Sequence, residues 1–282
     1  MKTSVKTKRV AFSVFSIGVL VVISLITCYP FLMMISGSFK QNYELFSNNL
    51  SLIPQRGFNL EMYHQLFANW PFFKNMFNSV VVSFSSTVLT CVFCTMAGFT
   101  FAKYEFPFKN GLFTVMLASM MIPSVANIVP SYLIVRSLGG LNRLWSLIIP
   151  GCVPAFGVFM MRQFAYQGVP IDAIEYARVE GASETRILTR LAFPMLAPGI
   201  FSLAILTFMN SWNDFLWPII MMTKKEMLTV TALLRSIGDV SLNGSFGVLL
   251  AATTLSTVPI LVFYLIFHKQ LIQGILEGMG KE

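Results

Sequence analysis

Charge is what this sequence has least of. Asp, Glu, Lys and Arg together make up 11% of its 282 residues, against 55% for hydrophobic side chains. A soluble domain carries about a quarter charged residues. So little polar surface cannot solvate a folded sphere in water, whereas a bilayer makes no such demand. Acid is scarcest, with 12 residues against 20 basic ones and a net charge of +8. That excess forms no nucleic-acid-binding stripe. The basic residues sit in short gaps between long apolar runs, where they govern topology. Histidine is nearly missing: His64 and His268 lie far apart in the chain. The four cysteines, Cys28, Cys91, Cys94 and Cys152, fall in or beside apolar runs. Cys91 and Cys94 form a C-x-x-C without a second ligand pair nearby, so we read packing residues and expect no metal site. No G-x-x-x-x-G-K-[ST] segment occurs, which excludes ATP binding through a P-loop, and no Ser-His-Asp arrangement is credible within a membrane. An enzyme reading has no residues to stand on.

What is abundant is apolar sequence long enough to cross a bilayer, which takes about 20 helical residues. Six stretches meet that length: Val10–Ile35, Phe77–Phe101, Gly111–Val135, Leu144–Met161, Gly199–Met222 and Gly247–Phe267. Lipid offers no partner to an open backbone group, so each is expected to be helical, kinked where it contains proline. The fold class is therefore all-α, a polytopic membrane protein of six transmembrane helices. Lys6, Lys8 and Arg9 before the first run put the N-terminus on the cytoplasmic side, and an even number of spans puts the C-terminus there too. Trp70, Trp145, Trp212 and Trp217 then fall towards the outer boundary, as an aromatic belt would. The expected organisation is an N-terminus at 1–9, a membrane domain at 10–268 and a tail at 269–282. Outside the spans, Leu60, Tyr63, Leu66 and Phe67 predict an amphipathic surface helix within 59–73. Residues 223–246 read as a flexible outer loop.

The segment 163–198, between spans four and five, is too polar to cross and too long for a turn. Pro170 suits a helix start, with Asp172 and Glu175 near its positive end. Gly181 permits a sharp change of direction and Ser183 can cap a second helix, whose Ile187, Leu188 and Leu191 share a side. Two short helices with a tight elbow are expected.

Glu175-Tyr176-Ala177, three residues, Gly181, nine residues, then Leu191-Ala192-Phe193-Pro194 resembles the EAA loop of binding-protein-dependent ABC importer permeases. Spacing matches throughout; Tyr176, Leu191 and Phe193 depart from the family's alanine, isoleucine and leucine. Asn78-Ser79, Arg162-Gln163-Phe164 and the stretch Trp212 to Pro218 are similar to the carbohydrate-importing branch, in particular to the smaller permease of maltose-type transporters. The resemblance implies a type I ABC importer permease fold in a bacterial inner membrane. It implies a second homologous permease, two cytoplasmic ATPase subunits that bind ATP and Mg in this chain's stead, an extracellular solute-binding protein and a sugar cargo. It also implies that Glu175, Tyr176, Ala177, Glu180, Gly181, Ala182, Ser183, Leu191 and Pro194 couple to the ATPase. No cofactor in this chain and no nucleic-acid partner are expected.

Asp214 is the one acid placed inside a span, where a charge costs about 2.5–3.5 kcal/mol on insertion scales. It should therefore face a cavity or a partner. One reading puts Asn210, Asn213 and Asp214, with Asn127 from span three, along a translocation path where carbonyls and carboxylates hydrogen-bond sugar hydroxyls. The other makes Asp214 a packing residue between subunits. An ABC permease for an amino acid, peptide or polyol phosphate, a secondary transporter and a membrane scaffold remain as alternatives.

Overall fold

The computed structural model describes residues 2–46, 51–55, 57–241 and 246–278, and among these there are helices and no strands. In chain order the main helices are α1 (Lys2–Gly37), α2 (Glu61–Asn69), α3 (Phe72–Lys103), α4 (Lys109–Ser119), α5 (Ile128–Ser137), α6 (Ala155–Gly168), α7 (Ile171–Val179), α8 (Glu184–Met195), α9 (Ala197–Asn213), α10 (Leu216–Met221), α11 (Val230–Ser241) and α12 (Phe246–Gly278). By length and composition, Phe15–Gly37 of α1, all of α3 and Phe246–Phe267 of α12 can each cross a membrane unaided. Two bent helix pairs are together long and apolar enough to form a broken span or a re-entrant loop: α4 with Ser124–Ser137, which turns through 96°, and α8 with α9, through 76°.

Six spans kinked at their prolines are expected, and at some of these prolines the helix breaks outright. Span three breaks before Pro123 and resumes through a 3-10 turn at Ser124–Asn127. Span four is no continuous helix: one turn at Trp145–Ile148 is followed by irregular chain through Pro150, and α6 starts only after Pro154. A proline cannot donate to the turn before it and pushes its predecessor out of helical geometry. Pro30 and Pro259, in contrast, are carried inside α1 and α12. Span five stops at Asn213 because Asp214 is extended (φ −68°, ψ 126°) and turns the chain into α10.

The chain divides into two compact units. The first comprises Met1–Trp70 with Ser236–Thr257. Here the α2 face that is buried carries Met62 and Leu66; of the residues expected on the apolar face, Leu66 is buried and Tyr63 half-buried, while Leu60 and Phe67 are exposed. A Cβ on Gly247 would lie 2.6 Å from Met62 Sδ, so α12 begins in close contact with α2. The apolar stretch of α1 is mostly exposed; only its end is buried, at Gly37, where an added Cβ would lie 2.6 Å from Leu250 Cδ1.

The second unit comprises Pro71–Arg235 with Val258–Glu282. Its core joins Cys91, Cys94, Phe99 and Ala102 of α3 to Val158, Met161 and Ala165 of α6, and to Leu203 of α9. Glycines set the spacing, as small residues do where helices meet without a hydrophobic driving force. A Cβ on Gly98 would lie 2.6 Å from the Arg162 backbone nitrogen, and one on Gly199 would lie 2.6 Å from the Phe164 ring. Trp212 is 2% exposed and stacks on Phe208, so it is a core residue and not part of an aromatic belt.

Candidate functional site

The segment between α6 and α9 folds as an elbow. Pro170 precedes α7, and Asp172 occupies its first turn. The helix ends at Gly181, whose φ of +81° suits glycine. Gly181 N–H donates to Arg178 O and Ala182 N–H to Ala177 O, each at 2.9 Å. That pair of bonds is the Schellman motif, which satisfies carbonyls a helix end leaves open. Ser183 Oγ then accepts from Arg186 N–H at 3.4 Å, capping α8 as expected.

One side of the elbow is anchored. Ile174 and Ile187 are essentially fully buried and join the α3–α6 core, a burial that contributes about 1.5–3 kcal/mol for each side chain. Ala177, Ala182 and Leu191 pack partly against the same core. The other side is open: Glu175, Glu180, Gly181, Ser183 and Pro194 are exposed, Tyr176 is 72% exposed and Val179 87%. The expected coupling residues thus fall into an anchoring set and a displayed set. A Cβ on Gly181 would meet nothing within 4 Å. This glycine is required by its backbone angle, and no part of this chain crowds it.

A polar cluster joins the elbow to α3. Arg178 Nε donates to Glu184 Oε1 at 2.8 Å and Arg178 Nη2 to Glu184 Oε2 at 3.3 Å. Tyr104, which caps the C-terminus of α3, donates its hydroxyl to Glu184 Oε2. The Arg178 guanidinium lies 5.4 Å from the Tyr104 ring centroid. The Arg178 hydrogen bond, followed by that of Tyr104, holds the Glu184 carboxyl below its ordinary pKa. The Glu184 bond raises Arg178 in turn, and burial, then the Glu184 contact, raises Tyr104.

The candidate path residues separate as well. Asn127 and Asp214 line one cavity of about 370 Å3, together with Ser124, Ser131 and Trp217. The break in span three and the break in span five bring them together. Asp214 Oδ1 accepts from Leu216 N–H at 3.1 Å and Trp217 N–H at 3.4 Å, so the carboxylate starts α10 as well as facing the cavity. Asn210 and Asn213 are exposed on α9 and do not line this cavity; Asn213 Nδ2 donates to Met209 O at 2.8 Å.

Residues 221–230 differ from the flexible loop expected. Asn142 Oδ1 accepts from Thr223 N–H and Lys224 N–H, each at 2.9 Å, and Asn142 N–H donates to Met221 O. Asn75 Nδ2 donates to Lys225 O and Leu228 O, Asn78 Nδ2 to Glu226 O, and Ser79 Oγ accepts from Val230 N–H. Four side chains therefore hold the stretch that leads into α11. Residues 242–245 of the expected loop lie outside the described residues.

Residues 94–277 match the family of binding-protein-dependent transport system inner membrane components. The chain belongs to that family. Members are transport components, so this permease is a multi-pass inner-membrane protein and not an enzyme. It is 32% identical over 272 residues to the arabinooligosaccharides transport system permease protein AraQ of Bacillus subtilis, covering 95% of this chain and 96% of that protein. To the diacetylchitobiose uptake system permease protein NgcG of Streptomyces coelicolor it is 28% identical over 270 residues, covering 95% and 88%. Its fold superposes with a TM-score of 0.80 on a chain of a bacterial ABC transporter involved in the import of the acidic polysaccharide alginate. That match, at 18% identity, covers 92% of this permease and 95% of the other chain, and it fixes the all-α ABC importer permease fold.

Sequence reasoning missed Tyr104, Arg178, Glu184 and Asn142. Arg178 and Glu184 sit either side of Gly181 at a spacing that becomes a contact only once the elbow forms. Tyr104 is 80 residues from Glu184, and no local signal could have paired them.

Proposed function

We propose that this chain is one permease subunit of an ATP-driven carbohydrate importer, forming half of the translocation path and coupling through its elbow to a separate ATPase. The observation that carries this reading is the two-sidedness of the elbow. Ile174 and Ile187 tie it to the helices that cross the membrane, while Tyr176 and Val179 stand out beside Glu175 and Glu180. Large apolar groups displayed on a segment too polar for lipid suit a protein partner. In the assembly a second, homologous permease completes the path. Two ATPase subunits on the cytoplasmic side bind ATP and Mg, and a solute-binding protein delivers cargo from the opposite face. Both termini then lie in the cytoplasm.

A carbohydrate cargo is supported by the relatives, whose names specify arabinooligosaccharides and diacetylchitobiose. It is supported too by the cavity at Asn127 and Asp214, where Ser124 and Ser131 add hydroxyls and Trp217 an aromatic face. Polar groups of this kind in an otherwise apolar cavity can orient sugar hydroxyls. We propose Asn127 and Asp214 as path residues.

The test is co-purification of the tagged permease from native membranes in mild detergent. An ATPase subunit is expected to accompany the native chain, and Val179→Glu or Tyr176→Arg is expected to lose it while remaining monodisperse. If the ATPase stays with both variants, or never accompanies the native chain, the elbow is not the coupling surface.

A further inference from the structure

We infer that Tyr104, Arg178 and Glu184 form a clasp that locks both arms of the elbow to the end of α3. A displacement of α7 would then reach that transmembrane helix instead of being absorbed at Gly181. This inference rests on the coupling role proposed above and adds the residues that transmit it.

The elbow has a weak point. Gly181 joins the two arms at φ +81° with open space around it, so little besides the cap opposes a change of angle there. The apolar anchors at Ile174 and Ile187 resist compression, but apolar contact is non-directional and permits sliding. Arg178 stands on the α7 side of Gly181 and Glu184 on the α8 side. Their two-pronged pair therefore spans the weak point and fixes the angle between the arms. Tyr104 supplies the third attachment. Its ring stands edge-on to Phe99 at 5.6 Å, and Phe99 is 1% exposed within the core, so the hydroxyl is held by a rigid base. Each of the three groups touches the other two.

The clasp is poorly placed to serve stability. The side chains of Arg178 and Glu184 are 41% and 54% exposed, and exposed ion pairs contribute little. A cavity of about 460 Å3 beside Tyr104 and Glu184, lined also by Phe99, Glu105 and Leu188, leaves the parts room to separate once unlinked. Direction is what this arrangement provides. Tyr104, Arg178 and Glu184 are accordingly positioning residues.

Hydrogen–deuterium exchange on the complex purified from native membranes, with and without MgATP and vanadate, separates transmission from simple stiffening. In the native complex, nucleotide is expected to change exchange both over the elbow, 171–190, and over the end of α3, 99–108. In Glu184→Gln and Tyr104→Phe the change over 171–190 should persist, while that over 99–108 shrinks by about two- to thirty-fold, the range of measured coupling effects. Combining the two substitutions should add little to Glu184→Gln alone, because they cut one network. The exchanged pair Arg178→Glu with Glu184→Arg should restore most of the change at 99–108, which a merely structural defect would not allow.

Undiminished change at 99–108 in both single variants overturns the clasp and leaves the coupling reading standing. So does loss of the ATPase from the complex in those variants, which would make these residues part of the docking surface. Failure of the exchanged pair to exceed the single variants overturns it as well. No nucleotide response over 171–190 in the native complex overturns the clasp and the coupling reading together.

Discussion

Replacing Gly98 by alanine asks how far the core depends on a single missing methyl. The new Cβ would stand 2.6 Å from the Arg162 backbone nitrogen, 2.7 Å from Met161 Cβ and 2.8 Å from the Met161 carbonyl carbon. It falls about 0.8 Å short of the 3.4 Å at which ordinary contact begins. Two of those three atoms are backbone, so no side chain can rotate away, and α3 must move off α6. Cys94, Phe99, Ala102, Met161 and Ala165 all lie in the core between these helices. Overpacking of this kind costs about 1–3 kcal/mol. Against it stands the helix preference of alanine over glycine, about 1 kcal/mol. The net effect is a destabilisation of up to roughly 2 kcal/mol. Gly111→Ala is the matched control: it too is helical, but its added methyl meets nothing within 4 Å, so only the preference remains and the variant should gain stability. The assay is the fraction of monodisperse protein left after a graded heat challenge in detergent, read by size exclusion. Gly98→Ala should fall below the native chain and Gly111→Ala at or above it. If the two behave alike, the close approach of α3 and α6 is not what holds this core.

Two other perturbations follow from the polar clusters. Asn142→Ala removes the acceptor for the exposed Thr223 and Lys224 amides, at a cost of about 0.5–1.5 kcal/mol for each bond, so those two amides should exchange deuterium roughly two- to twelve-fold faster; unchanged exchange would mean that Asn75, Asn78 and Ser79 hold the segment alone. Glu184 has a depressed pKa, so the clasp is complete above the ordinary carboxylate value of 4.5 and is lost only as pH falls through the lower folded-state value. The nucleotide response at 99–108 should therefore be flat from neutral pH down to that range and fall below it, with no such acid limb in Glu184→Gln.

The elbow was legible because its determinants are local. Proline, glycine and serine act within a few residues, and Pro170, Gly181 and Ser183 all did what their chemistry suggests. The apolar runs likewise announced membrane helices through their length alone. What local pattern could not give was continuity. Pro30 and Pro123 read alike in sequence, yet α1 carries the first and span three breaks at the second. Asp214 looked like a charge inside a helix, and instead it ends one helix and starts the next, which brings it to Asn127 across two broken spans. The residues that join distant segments, Tyr104 to Glu184 and Asn142 to Thr223, carry no periodicity and so left no trace to read.

On the function proposed here, this permease is moved by ATP hydrolysed on another subunit in response to carbohydrate outside. The decisive experiment reconstitutes the complex purified from native membranes into lipid vesicles with its solute-binding protein. ATP hydrolysis is then measured with arabino-oligosaccharides, with diacetylchitobiose and with sn-glycerol 3-phosphate. The expected result is hydrolysis that rises only when the binding protein and one of the carbohydrates are both present, with that carbohydrate accumulating in step. Accumulation without ATP, or hydrolysis that answers only to the polyol phosphate, would contradict it.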